Sequence, residues 1–222
     1  MEIVSKLEEE IPELPSGWAQ LVNTRESFQE LLSYPEWVDL VIPRGSNELV
    51  RQIMNSTQIP VLGHAEGICH IYVHEKADMN TAVAVAIDSK AQYPAVCNAL
   101  ETLLVDAKIA KAFLPVFGRA ASDAHVQLRG CERTRQVLPQ AKATTEEDWT
   151  AEYGDLTLSL KIVDGLEEAV AHINRFGSHH TDGIISEDAR VRERFLQQVD
   201  SATVVANAST RFADGFRFGL GA

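Results

Sequence analysis

The sequence predicts an α/β protein built on a parallel sheet with crossover helices. Apolar runs of strand length alternate with segments of helical spacing, so the order reads strand, helix, strand, helix, strand along most of the chain. The composition, 45% hydrophobic and 23% charged over 222 residues, supplies apolar surface for one large domain or two small ones. Neither repeats nor low-complexity linkers interrupt the pattern.

In order, MEIVSKLEEEIPELP offers a little helix and a Pro-rich approach to the first strand. GWAQLVN (17–23) reads as a short strand, and TRESFQELLSY (24–34) as an amphipathic helix opened by a Thr cap. WVDLVIP (37–43) is an apolar run ended by Pro43; after the turn RGSN, NELVRQIMNS (47–56) has helical spacing. IPVLG (59–63) and ICHIYVH (68–74) are two further strands around a glycine-containing turn. The segment 78–93 reads as a helix closed by Pro94, 101–106 as a strand, and 108–122 as a helix with a kink near Pro115. HVQLRG (125–130) is a strand, CERTRQVLP (131–139) a short helix, and 141–155 is polar and irregular. LTLSLKIV (156–163) alternates as a strand, and GLEEAVAHINRFG (165–177) is a helix ended by Gly177. GIIS (183–186), a helix over 188–199 and TVVAN (203–207) complete the series. The expected boundary lies near residues 74–78, and both ends of the chain read as interrupted.

The net charge of −12 disfavours nucleic acid and anionic membrane surfaces as partners, while leaving room for a small anionic substrate held by local arginines. No stretch approaches the roughly 20 apolar residues of a membrane span, and the acidic N-terminus lacks the pattern of a secretory signal. A cytoplasmic, soluble protein is the expectation. Three cysteines, Cys69, Cys97 and Cys131, make neither a disulfide framework nor a CxxC metal site, and the odd count fits a reducing compartment.

Cys97 follows a helix terminator and precedes a strand, so it falls on a connecting turn. Asn98 beside it and the backbone N–H groups there are donors that a reactive thiol needs, although a small buried hydrophobe suits the same local context. PRGSN (43–47) is a turn between a strand and a helix, and its Arg44, Gly45 and Ser46 suit either a phosphate group or an ordinary helix cap. His64 and His70, and the adjacent His179 and His180, lack the spacing of a dedicated zinc site, so no metal is expected. STRFADGFRFG (209–219) brings Arg211 and Arg217 together with Thr210 and Asp214, which reads equally as anion recognition or as a solvated loop. Glu152 stands just before a strand, where an exposed loop carboxylate is the plainer reading.

VIPRGSNELV, IPVLGHAEGICHIYV, YPAVCNALETLLV, SLKIVDGLEEAVAHINRFGSHHTDGIISED and VVANASTRFADGFRFGLGA together resemble the glutamate-5-semialdehyde dehydrogenase (gamma-glutamyl phosphate reductase) branch of the aldehyde dehydrogenase superfamily. The resemblance runs from about residue 17 to the end and covers roughly the second half of the family. It implies an aldehyde dehydrogenase-like fold with an N-terminal extension (1–16), part of a Rossmann-like cofactor domain (17–76), a catalytic domain (77–205) and a C-terminal substrate and cofactor loop (206–222). It implies NADPH-dependent reduction of L-glutamyl 5-phosphate to glutamate 5-semialdehyde in proline biosynthesis, through a thioester on Cys97 with Asn98 beside it. Gly45, Ser46 and Arg44 would lie at the cofactor, and Glu152 would bind the nicotinamide ribose. His64 stands where hydrolytic relatives place a glutamate base, and Ser209, Thr210 and Arg211 are assigned to the substrate's anionic groups. Alternatives are a non-catalytic remnant and the reductase part of a bifunctional protein; a homo-oligomer is also anticipated.

Overall fold

Two prolines set the architecture of the first unit. In the computed structural model, which describes residues 2–15, 17–63 and 66–220, the chain forms two units, residues 1–65 and 66–222. The first carries α1 (Glu2–Glu10), α2 (Arg25–Leu31) and α3 (Asn47–Ser56). Thr24 caps α2 by accepting from the Ser27 N–H, and Ser46 caps α3 by accepting from the Leu49 N–H. Leu32, Val41, Ile53 and Ile59 make a small apolar core between these elements.

The strands expected at 17–23, 37–43 and 59–63 are not formed. Only an isolated parallel bridge joins Val41 to Val61, through Val41 N–H to the Pro60 carbonyl and Leu62 N–H to the Val41 carbonyl. Extending this ladder one way needs an N–H on Pro43, and the other way an N–H on Pro60. Neither residue has one, so pairing stops after a single bridge. Residues 17–23 pair with nothing that would make them a strand, and Trp18, Leu21 and Val22 stay exposed.

The second unit is a seven-stranded parallel sheet. Its strands are β1 (Cys69–Val73), β2 (Leu100–Asp106), β3 (Gln127–Gly130), β4 (Lys142–Ala143), β5 (Thr157–Val163), β6 (Thr181–Ile185) and β7 (Thr203–Ala206), in the order β4-β3-β5-β2-β1-β6-β7. Helices α4 (Met79–Ala91), α5 (Ala107–Asp123), α6 (Glu132–Val137), α7 (Leu166–Phe176) and α8 (Ala189–Gln198) supply crossovers. Every residue of β1 and β2 is buried, as continuous apolar strands covered on both faces should be. One core packs around Phe113, Leu114 and Phe117 of α5, and the other around Tyr72, Ile173 and Phe195. Asp106 ends β2 and caps α5, and it also accepts the Tyr72 hydroxyl at 2.7 Å.

The division at 65/66 corrects the boundary expected near residue 76. Strand β1 is paired on one side with β2 and on the other with β6, so it is the middle of the second unit's sheet and not the end of the first unit. Because all strands run in parallel, the loops that enter them gather at one edge. That edge receives Gly67, Cys97, Glu152 and Ser178.

Candidate active site

Cys97 sits three residues before β2 on a turn closed by the Ala99 N–H to the Val96 carbonyl, and it is half-buried. Its backbone is gripped from two sides. Gly67 approaches so closely that a Cβ there would lie 2.0 Å from the Cys97 carbonyl oxygen and 2.5 Å from its Cα. The Cys69 thiol donates to the same carbonyl at 3.3 Å. Burial, then the charge of Asp182, pushes the Cys69 thiol well above its ordinary pKa, so it stays protonated and serves as a donor. The Gly67 loop is itself held where the Ile68 N–H donates to Ser178 Oγ at 2.8 Å.

After β7 the chain returns to this edge through a short 3₁₀ turn at Thr210–Phe212. Buried Asn98 donates its amide to the Ala213 carbonyl at 2.9 Å and accepts from Arg211 Nη1, while Arg211 Nε donates to Gln92 at 3.2 Å. Ser89, near the end of α4, donates to Ser209 Oγ at 3.0 Å and accepts from the Thr210 N–H at 3.2 Å. Asn98 therefore ties the arginine segment to the cysteine turn, a use that commits its carbonyl and one amide N–H. The Thr210 hydroxyl is buried with no hydrogen-bond partner among the described residues. The structure thus brings Cys97, Asn98, Ser209, Thr210 and Arg211 together.

Glu152 is half-buried in the loop that enters β5. The next residue, Tyr153, is pinned through its hydroxyl to Asp148 and Ser159, both at 2.7 Å. Arg44, Gly45 and Ser46 lie in the first unit, exposed at the start of α3, where Ser46 Oγ is the helix cap. His64 lies outside the described residues. His179 and His180 turn to different partners, the Asp200 carbonyl and Thr181 Oγ1, and no group of three metal-binding side chains occurs among the described residues. Arg217 stacks over Phe212, 5.0 Å from the ring centroid.

Sequence reasoning missed Gly67, Ser89, Gln92, Lys90 and Glu101. A glycine in EGIC and a lysine in DSKAQ are ordinary locally; only the pairing of β1 with β2 shows what they touch.

Comparison with known proteins agrees with this fold. The profile of the aldehyde dehydrogenase family matches residues 1–150. Gamma-glutamyl phosphate reductases of a Synechococcus species and of Methanosarcina acetivorans are 55% and 56% identical, over 96% and 100% of this chain and 47% and 51% of their own. The chain spans about half the length of the curated relatives it matches. The crystal structure of gamma-glutamyl phosphate reductase from Thermotoga maritima superposes with a TM-score of 0.95 at 40% identity, covering 99% of this chain and 54% of that one. Lactaldehyde dehydrogenase from Escherichia coli shares the fold, with a TM-score of 0.73 at 22% identity over 93% of this chain and 53% of its own. The chain belongs to the aldehyde dehydrogenase family.

Proposed function

We propose that this chain carries the catalytic half of an NADPH-dependent gamma-glutamyl phosphate reductase, working in the cytoplasm in proline biosynthesis. The observation that supports it most is the junction of Cys97, Asn98 and Arg211 at one edge of the sheet, together with relatives of that name at 52–57% identity.

In this reading the Cys97 thiolate attacks the acyl carbon of glutamyl 5-phosphate. The C–S bond forms, the C–O bond to phosphate breaks, and inorganic phosphate leaves with that electron pair. The Cys97 N–H steadies the oxyanion, while the Gly67 and Cys69 contacts hold the residue from its other side, at the Cys97 carbonyl. Arg211, held by Asn98 and Gln92, presents a guanidinium to the substrate's anionic groups, with Ser209 and Thr210 beside it. The buried, unpartnered Thr210 hydroxyl is a group a bound oxyanion would satisfy.

The residues present fit a nicotinamide dinucleotide. Taken by itself, the first unit offers a phosphate the amide groups opening the ten-residue helix α3 beside exposed Arg44, with Gly45 and Ser46 in the turn; taken by itself, the second offers ribose hydroxyls the Glu152 carboxylate. When bound, the dinucleotide supplies the hydride that releases the aldehyde from the thioester. His64 is assigned to the substrate side.

The test is turnover of glutamate 5-semialdehyde, phosphate and NADP by the purified protein, followed by absorbance of the reduced cofactor. Cys97→Ser should abolish it. Turnover that survives this substitution would sink the thioester mechanism.

A further inference from the structure

Lys90 of α4 and Glu101 of β2 form an ion pair of 2.7 Å whose side chains are 0% and 1% exposed. The chemistry above uses neither. Stability alone is a weak reason for such a pair, since apolar residues of similar volume commonly do as well in a dry interior. What the pair touches gives a better reason. Glu101 lies four residues beyond Cys97, and Lys90 directly follows Ser89, which holds Ser209 and Thr210. Glu101 Oε2 receives the ammonium, while Oε1 has no hydrogen-bond partner among the described residues. Burial pushes the Glu101 carboxyl up to about 7, against the Lys90 ammonium and, less strongly, the backbone N–H groups of Gly154 and Tyr153. The Lys90 ammonium stands 5.8 Å from the Tyr153 ring centroid.

We propose that Lys90 and Glu101 are positioning residues that set the 151–155 loop, and with it the Glu152 carboxylate, against the Cys97 turn. Lys90 stands over the aromatic face of Tyr153, and Glu101 holds the ammonium in that place. One ion pair thereby links the cysteine turn, the arginine segment and the cofactor-facing loop. This inference rests on the reading that Glu152 meets the cofactor ribose.

The test is the double variant Lys90→Met/Glu101→Met, which removes both charges and keeps volume. Three quantities are measured: amide hydrogen exchange at Tyr153 and Gly154, NADPH binding by fluorescence, and iodoacetamide labelling of Cys97. The expected result is exchange about tenfold faster and NADPH binding about fivefold weaker, on the scale of losing one to two modest contacts, with Cys97 labelling and cooperative unfolding retained. Glu101→Gln, which removes the carboxylate charge and keeps an acceptor for Lys90, should lie between the double variant and the unmodified protein. Wild-type exchange in the double variant overturns the proposal. If the double variant does not unfold cooperatively, Lys90→Gln/Glu101→Gln carries the same readouts. Faster exchange with unchanged NADPH binding refutes the link to the cofactor. Should Glu152→Gln itself bind NADPH normally, the ribose reading fails while the exchange result still decides the tether.

Discussion

Replacing Gly67 by alanine should disarm Cys97 without touching it chemically. The added Cβ would sit 2.0 Å from the Cys97 carbonyl oxygen, 2.5 Å from its Cα and 2.6 Å from its carbonyl carbon. An ordinary C···O approach is about 3.3 Å, so the overlap is about 1.3 Å. The three nearest atoms are all backbone, so no side-chain rotation can relieve these contacts. Either the Gly67 loop retreats, breaking the Ile68 N–H bond to Ser178, or the Cys97 turn moves by about 1 Å. Overpacking of this kind costs about 1–3 kcal/mol of stability. A displacement of about 1 Å at a reacting atom costs about 10²-fold in rate. The assay pairs thermal unfolding with two rates: iodoacetamide alkylation of Cys97 and acylation by glutamyl phosphate. The expected outcome is a lowered melting temperature and an acylation rate down about 10²-fold. Unchanged alkylation, acylation and melting temperature in Gly67→Ala would refute the idea that this contact fixes the nucleophile.

Cys69→Ser and Cys131→Ser should keep most of the turnover that Cys97→Ser removes, because a serine hydroxyl at 69 can still donate to the Cys97 carbonyl; equal losses from all three would contradict the assignment. Arg211→Lys should raise KM for the acyl phosphate about tenfold or more, since an ammonium cannot reach Gln92, Asn98 and an anion together; an unchanged KM would remove Arg211 from the substrate site. His172 is held down to about 2, first by burial and then by the charges of His70, Lys161 and Arg175. Below pH about 6.5 the unfolded chain binds a proton that the folded chain refuses, so stability falls as pH drops from about 6.5 towards 2, by at most about 1.4 kcal/mol per unit. Denaturant titrations from pH 7 to 4 should therefore show a shallower loss in His172→Phe, and equal slopes would acquit His172.

The second unit was largely legible because its strands are buried on both faces. LTLSLKIV and GLEEAVAHINRFG became Thr157–Val163 and Leu166–Phe176 with ends shifted by a residue. The first unit was misread because apolar runs at 37–43 and 59–63 carry strand composition, while Pro43 and Pro60 remove the donors that would extend their pairing. At the site, the motif around Cys97 and the arginine segment could be picked out, yet their union through Asn98 could not. That contact joins residues 113 positions apart. Lys90 was invisible for a different reason: in a helix of small residues a lysine reads as a solvated face, and only its burial against Glu101 reveals otherwise.

Strand β5 occupies the place between β3 and β2, although it is made after both. Strand β2 therefore leaves the ribosome with one flank open and must wait about fifty residues for its neighbour. At synthesis rates of about 5–20 residues per second, that flank is bare for roughly 3–10 s. During that interval TLLV offers an apolar backbone edge to any other nascent chain. Slowing translation between residues 107 and 157 should lengthen the window and lower the yield of folded protein, so the codon choice in that stretch bears on expression.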